Sequence, residues 1–145
     1  MRKVAAGILV LALGKAAWAG EILPGPVMAE IVRVIDGDTL LVTAHPWLGV
    51  MVTTRVRLGG VDTPERGGRA GCPAESALAE RAGAAVRAAL PEGSVVSLSG
   101  IRSDKYGQRV VASVTLADGR DLSDLLLEAG YAVAYDGGRK RPWCP

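Results

Sequence analysis

The stretch Val50-Met51-Val52-Thr53-Thr54-Arg55-Val56-Arg57-Leu58 carries the clearest structural signal in this chain of 145 residues. Its two faces differ in polarity, with Val52, Thr54, Val56 and Leu58 on one and Thr53, Arg55 and Arg57 on the other. Because successive side chains of a strand point to opposite faces, this alternation predicts a strand with one buried face. The fold is therefore expected to be built around a β-sheet.

Four other segments predict strands, because they are short, rich in Val and Ile, and bounded by turn residues. They span residues 29–35, 39–43, 94–101 and 109–116. Residues 45–49 are expected to form a hairpin loop. Asp36-Gly37 and Asp104-Lys105-Tyr106-Gly107 have the composition of turns.

Two helices are predicted among these strands. The first begins at Cys72-Pro73, since proline suits a first helical turn, and stops before Pro91. Its predicted buried stripe consists of Leu78, Ala82, Ala85 and Ala89. The second follows Asp121, a candidate N-cap, and ends at Gly130, where a C-cap glycine belongs.

This order of elements predicts a mainly β fold with helices, in the α+β class. Three strands, a helix, two strands and a helix fit a five-stranded antiparallel barrel of the OB-fold type with two to three packed helices. Closing the sheet into a barrel removes the open edges that a flat sheet would leave. The core is expected to be aliphatic, since the chain contains no Phe.

Residues 1–19 have the features of a secretory signal peptide: a basic start, an apolar run and a small-x-small site ending at Ala19. The alternative is an uncleaved anchor, but the apolar run is shorter than the ~20 residues that a membrane span needs. We therefore expect a linker over residues 20–28 and one domain over residues 29–145. The exported protein is expected to be periplasmic or secreted, with no membrane attachment.

Export permits a disulfide, and the chain holds two cysteines, Cys72 and Cys144. Pairing them would close a long loop and fix a polar C-terminal tail. The alternative is two free thiols. Trp143, beside Cys144, is expected to anchor the same tail.

The charge balance excludes a general attraction to polyanions. The chain has 17 Lys and Arg against 15 Asp and Glu, but Arg2, Lys3 and Lys15 lie in the leader. The remaining 14 basic residues leave a net charge of −1, so nucleic-acid binding must come from a local site. One histidine, His45, and two cysteines also exclude a zinc site of the usual composition, which leaves oxygen-ligand metal chemistry.

Acidic residues concentrate at two predicted turns. Asp36 and Asp38 flank Gly37, and Asp62 and Glu65 bracket Thr63-Pro64. Hard cations such as calcium bind several carboxylate and carbonyl oxygens in such places, although each motif alone is also compatible with a plain turn. Arg57 lies five positions before Asp62, and Arg109 lies at a third turn, after Asp104-Lys105-Tyr106-Gly107; both supply guanidiniums for phosphate oxygens. Together these groups indicate phosphodiester hydrolysis.

Three ordered motifs resemble the signature blocks of the thermonuclease (staphylococcal nuclease) family: Asp36-Gly37-Asp38-Thr39, Asp62-Thr63-Pro64-Glu65 and Asp104-Lys105-Tyr106-Gly107. The similarity extends from about residue 29 to residue 135. The resemblance implies an OB-fold domain within residues 29–145 and calcium-dependent cleavage of DNA and RNA to 3′-phosphate products.

The resemblance also implies a role for each matching residue. The calcium ligands would be Asp38, Asp62, the carbonyl of Thr63 and, nearby, Asp36. Glu65 would position or deprotonate the attacking water, and Arg57 would hold a phosphate oxygen. Tyr106 and, more approximately, Tyr135 match the tyrosines of the family's nucleotide pocket.

One position departs from the family pattern. The family's second catalytic arginine follows the glycine of the third block, and here that place holds Gln108, with Arg109 one residue later. A shift of one residue in a strand turns a side chain to the opposite face. We expect a bulge at Gly107-Gln108 to return Arg109 to the site, with Gln108 beside the substrate. Without the bulge, this clamp is lost.

Gln108 also motivates the main alternative function, a non-catalytic nuclease-like OB-fold module that binds nucleic acid. A calcium-stabilised structural protein is a third hypothesis. The segment Arg139-Lys140-Arg141 either follows a nucleic-acid backbone or is simply solvated, and Trp47 either stacks on a base or packs on its own hairpin. No protein partner is evident, and a monomer is expected.

Overall fold

The computed structural model describes residues 20–145, so the predicted signal peptide, residues 1–19, lies outside the described residues. Within the described residues the strands are β1 (Val27–Asp36), β2 (Thr39–Trp47), β3 (Val50–Leu58), β4 (Val61–Asp62), β5 (Val95–Ser103), β6 (Arg109–Thr115) and β7 (Val133–Ala134). The helices are α1 (Pro73–Ala89), α2 (Leu122–Glu128) and a 3-10 turn (Gly67–Arg69). Among these residues no helix is long and apolar enough to cross a membrane.

Five strands close into a barrel in the order β1-β2-β3-β6-β5, and β4 pairs with β7 in a separate two-stranded sheet. This confirms the predicted mainly β fold of OB type with packed helices. The expectation that every barrel pairing is antiparallel is wrong, because β3 and β6 run parallel. The chain leaves β3 and returns through α1 and β5, so β6 enters the barrel in the same direction as β3.

The barrel interior is aliphatic, as expected from the absence of Phe. Its largest fully buried side chains include Ile31, Leu40, Leu58 and Leu98. Helix α1 contributes a different stripe from the predicted one: Glu75, Ala79, Ala82, Gly83 and Val86 are buried. Ala89 is exposed and Leu78 only half-buried, since the helix is rotated to place its smallest residues against the barrel.

The β2–β3 hairpin is longer than predicted. The expected loop at residues 45–49 is wrong, because β2 continues to Trp47, which pairs with Val50 across a two-residue turn. Gly49 takes φ of 74°, a conformation that such turns require and that glycine adopts without strain. The hairpin tip projects from the barrel, and the side chain of Trp47 is 76% exposed.

The N-terminal segment joins the barrel earlier than expected. β1 begins at Val27, inside the predicted linker of residues 20–28. Leu23 also forms an isolated bridge with Ile101, with N–O distances of 2.8 and 2.9 Å. This segment therefore lies against the end of β5.

Cys72 and Cys144 form a disulfide with an S–S distance of 2.10 Å. Cys72 is the N-cap residue of α1, and Cys144 is the penultimate residue of the chain. The disulfide therefore fixes the C-terminal tail beside the start of α1. The alternative of two free thiols does not describe this structure.

Two valines of β3 provide a matched test of the barrel. Val56 is fully buried, whereas Val52 is 44% exposed although the alternation pattern assigns both to one face. Val56→Ala is expected to lower the free energy of unfolding by about 2 kcal/mol, because it removes buried methyl groups and leaves a cavity. Val52→Ala is expected to change it by less than about 0.5 kcal/mol. Equal losses in urea denaturation would contradict this account of β3.

Candidate active site

The turn between β1 and β2 brings two carboxylates to the mouth of the barrel. Asp36 accepts a hydrogen bond from the backbone N–H of Asp38 at 3.2 Å, which fixes the turn. Gly37 lies between them, and a Cβ atom there would meet Thr63 Oγ1 at 3.0 Å and Ala82 Cβ at 3.2 Å. A side chain at position 37 would thus push the turn away from Thr63 and α1.

Arg57 ties this turn to the loop that follows β3. Its Nη1 donates to Asp38 Oδ2 at 2.8 Å, and its Nη2 lies 3.4 Å from both Asp62 Oδ1 and the carbonyl oxygen of Val61. Burial opposes the charge on Arg57, but Asp38 and Asp62 outweigh burial and raise its pKa above the ordinary value. The guanidinium is therefore a fixed positive charge between two carboxylates.

Asp38 is the most perturbed acid of the site. Burial raises the pKa of its carboxyl from 3.8 to about 6, with Asp36 adding to the increase and Arg57 opposing it. Thr39 Oγ1 also donates to Asp38 Oδ1 at 3.0 Å. A cation beside Asp36 and Asp38 would offset the cost of holding both carboxylates in charged form.

The loop that carries Glu65 is held by a buried acid on α1. Glu75 accepts hydrogen bonds from the backbone N–H of Glu65 at 3.0 Å and from that of Gly71 at 2.7 Å. Glu75 lies in the first turn of α1, where the helix dipole favours a negative charge. Glu75 therefore holds the backbone of this loop at both Glu65 and Gly71.

Gly107 and Gln108 belong to the turn between β5 and β6, before the first residue of β6, and the register irregularity of this strand pair lies between Ser99 and Arg102 instead of at the predicted bulge. Gly107 has φ of 67° and Gln108 has φ of 52°, so two consecutive residues are left-handed immediately before β6. Arg109 then forms an ion pair with Asp104, and its guanidinium lies 5.3 Å from the centre of the Tyr106 ring. Burial by itself would raise the pKa of the Asp104 carboxyl. The hydrogen bond from Arg109 outweighs burial, so the pKa of Asp104 lies below its ordinary value.

These elements enclose a cleft of about 1060 Å³. Nearly all of the sequence-predicted site residues line it: Asp36, Asp38, Arg57, Thr63, Glu65, Tyr106, Gln108, Arg109 and Tyr135. Tyr135 lies beneath Arg57, 5.9 Å from ring centre to guanidinium carbon. Tyr106 stands at the rim with 73% of its surface exposed.

Asp62 is the exception among the predicted residues. Only 1% of its side chain is exposed, and it does not line the main cleft. Its two oxygens face Arg57, Lys140 Nζ at 2.7 Å and Trp143 Nε1 at 3.4 Å. Asp62 therefore lies behind the cleft, covered by the C-terminal tail.

The cleft concentrates positive charge, although residues 20–145 together have 14 basic and 15 acidic residues. Its lining includes eight basic residues, Arg55, Arg57, Arg66, Arg69, Arg102, Lys105, Arg109 and Lys140. It includes five acidic ones, Asp36, Asp38, Glu65, Asp104 and Asp136. The cleft lining therefore carries three more positive than negative charges, which favours the binding of an anionic ligand.

The donor set fits a hard divalent cation by its chemistry. Asp36, Asp38 and Asp62 offer carboxylate oxygens, and Thr63, within the second acidic turn, is buried. Among residues 20–145, however, no three acidic, histidine or cysteine side chains form a ready-made metal cluster. Arg57 and Lys140 pair with these carboxylates instead.

Sequence reasoning did not place Arg69 or Glu75 in the site, and it missed the contacts of Asp104 and Lys140, although both residues lie in segments that it named. Lys140 binds Asp62 and Glu65, which neither interpretation of the segment Arg139-Lys140-Arg141 predicted. Arg69 lies 3.3 Å from Glu65, a spacing of four residues that a charge pattern could have revealed. The role of Glu75 has no sequence signal beyond its place at a helix start.

A closed OB-type barrel with carboxylates, guanidiniums and tyrosines around one cleft defines an OB-fold domain built to hold an anionic substrate. Residues 55–142, more than half of the chain, match the family model described as staphylococcal nuclease homologue. The chain therefore belongs to the staphylococcal nuclease family, a family of nucleases.

Two similar proteins carry endonuclease names. A protein of Escherichia coli named "Uncharacterized endonuclease" is 27% identical over 128 residues, which cover 88% of this chain and 74% of the relative. "Endonuclease Htp3" of Saprolegnia parasitica is 33% identical over 120 residues, covering 73% of this chain and 54% of the relative. The chain thus aligns with about half of the length of the Saprolegnia protein.

Helix α1 offers a matched test of the loop support. Glu75→Ala leaves the N–H groups of Glu65 and Gly71 without their acceptor, so the free energy of unfolding is expected to fall by roughly 1–3 kcal/mol. Glu80→Ala, at an exposed position of the same helix, is expected to change it by less than about 0.5 kcal/mol. Equal effects in thermal or urea unfolding would show that Glu75 does not support this loop.

Proposed function

We propose that this protein is a calcium-dependent endonuclease that cleaves DNA and RNA and leaves 3′-phosphate ends. One observation carries the proposal: a fixed guanidinium, that of Arg57, joins two acidic turns at a cleft that also holds Glu65. The family and the relatives named endonuclease support the same activity. The protein is expected to act as a monomer.

The chemistry assigns a separate task to each group. Glu65 takes a proton from the water whose oxygen bonds to phosphorus, the bond from phosphorus to the 5′ oxygen breaks, and the leaving 5′ oxygen takes a proton from solvent water. Arg57 and Arg109 hold the phosphoryl oxygens as negative charge develops on them. Asp38, Asp62, Asp36 and the Thr63 carbonyl would hold calcium, which supplies Lewis-acid stabilisation of the same charge.

The nucleotide contacts rest on the tyrosines and on the rim of the cleft. Tyr106 is exposed beside Lys105 and Arg109, and its aromatic ring is proposed to stack on a base. Tyr135 lies deeper, against Arg57. Gln108 also lines the cleft and is proposed to contact the substrate.

We also propose that the protein acts outside the cytosol, in the periplasm or after secretion. The Cys72–Cys144 disulfide supports this location, since disulfides persist in oxidising compartments. The features of residues 1–19 agree with export.

The alternative, a non-catalytic module that binds nucleic acid, draws on one observation. Gln108 stands where the family has an arginine, and Arg109 is already paired with Asp104. A binding module would retain affinity for oligonucleotides and show no cleavage at any calcium concentration.

Cleavage of end-labelled single-stranded DNA tests the proposal. The purified protein is expected to cut in calcium and not in chelator, and its products are expected to lose a 3′-terminal phosphate on phosphatase treatment. Glu65→Gln removes the proton acceptor and is expected to lower the rate by about 10²–10⁴-fold. Asp38→Asn is expected to abolish the response to calcium.

Glu80→Gln is the control for a charge change outside the cleft and is expected to cleave at the unchanged rate. Cleavage that continues unaltered in chelator would overturn the calcium proposal. Binding without cleavage would favour the non-catalytic module.

The arginine shift is tested separately. Arg109→Ala is expected to lower the cleavage rate by about 100-fold, because a preorganised donor to the phosphoryl oxygens is lost. Gln108→Ala is the neighbouring control and is expected to act mainly on substrate KM. If Gln108→Arg raised the rate while Arg109→Ala left it unchanged, Arg109 would not be the clamp.

A further inference from the structure

The last nine residues before the C-terminal proline form a strap across the site, defined here as residues 136–144. One end follows β7, which pairs with β4 next to Asp62. The other end is fixed to the start of α1 by the Cys72–Cys144 disulfide. The strap is therefore held at both ends while its middle crosses the acidic loop.

Two side chains of the strap bind the carboxylates below it. Lys140 Nζ lies 2.7 Å from Asp62 Oδ1 and 3.0 Å from Glu65 Oε1. Trp143 Nε1 lies 3.4 Å from the second oxygen of Asp62. Since Arg57 also contacts Oδ1, both oxygens of Asp62 have a donor from this chain.

The position of Lys140 is fixed by more than attraction between charges. The hydroxyl of Tyr135 donates to the carbonyl of Gly138 at 2.9 Å, and the N–H of Gly138 donates to Asp136 at 2.9 Å. These bonds shape the turn that leads into Lys140. The turn thus places the Lys140 ammonium beside Asp62 and Glu65. In the proposed reaction these two carboxylates serve as a metal ligand and as the proton acceptor.

We propose that Lys140 is an internal cation that competes with the divalent metal ion for Asp62 and Glu65, and that the disulfide-anchored strap holds it there as an autoinhibitory contact. This inference rests on the proposed function, because it takes Asp62 as a ligand of that metal ion. A lysine at 2.7 Å and a divalent cation cannot share one carboxylate oxygen without strong repulsion. Metal binding must therefore displace Lys140.

The neighbouring cations of the strap serve as controls. Arg139 and Arg141 are exposed and form no ion pair with any of the described residues. Replacing either one removes the same charge from the same segment without freeing Asp62. An effect specific to position 140 thus separates the contact from a general change in net charge.

The test is the calcium affinity of the purified protein, measured by titration calorimetry. Lys140→Met keeps the length of the side chain and removes its charge, and is expected to bind calcium about 10-fold more tightly, the size expected for removing one competing charge at a partly solvated site. Arg141→Met is expected to bind as the wild type does. Lys140→Arg, which keeps the charge, is expected to bind no more tightly than the wild type.

A second variant tests the role of the Cys72–Cys144 disulfide. Cys72→Ser with Cys144→Ser frees one end of the strap and is expected to tighten calcium binding in the same direction as Lys140→Met. Equal affinity in the wild type and Lys140→Met, or weaker binding in the variant, would overturn the inference, as would equal gains in Lys140→Met and Arg141→Met.

The cleavage assay distinguishes the two proposals. If Lys140→Met binds calcium more tightly but no protein cleaves DNA, the inference stands and the proposed function fails. If calcium supports cleavage and Lys140→Met binds as the wild type does, the inference alone fails. If calcium binds to none of the proteins, both fail.

Discussion

The guanidinium of Arg57 holds the acidic residues of the site at one end of the barrel. It reaches Asp38 in the turn before β2 and Asp62 in β4 from its own place near the end of β3. Asp62 is almost completely buried, and a buried carboxylate is costly without a partner. The closed barrel brings the three strand ends together, and the ion pairs among them define where a phosphate and a metal ion can bind.

The distribution of charge follows from the same arrangement. The chain after residue 19 has a net charge of −1, yet the cleft lining has eight basic residues and five acidic ones. The charged residues that line the cleft come from strands, turns and the C-terminal tail, and none comes from α1 or α2. Substrate contact should therefore depend on a small number of phosphate contacts, and so on salt concentration to a modest degree.

Much of the fold was predictable from local patterns, because alternation in β3, turn residues and helix caps are encoded within a few neighbouring positions. The N-cap role of Asp121 is an example, since its side chain accepts from the N–H groups of Ser123 and Asp124. The parallel pairing of β3 with β6, the rotation of α1 and the two-residue strand β4 depend on contacts between distant segments. The same holds in the site: motifs identified Asp38, Arg57 and Glu65, whereas Lys140 reaches Glu65 across 75 positions of sequence.

A crystal structure of the protein grown with calcium tests the central claim most directly. The account predicts one calcium ion within about 2.3–2.6 Å of carboxylate oxygens of Asp38 and Asp62, with Arg57 still beside the site and Lys140 moved away from Asp62. Calcium bound elsewhere, with Asp38 and Asp62 still paired only to Arg57 and Lys140, would contradict it.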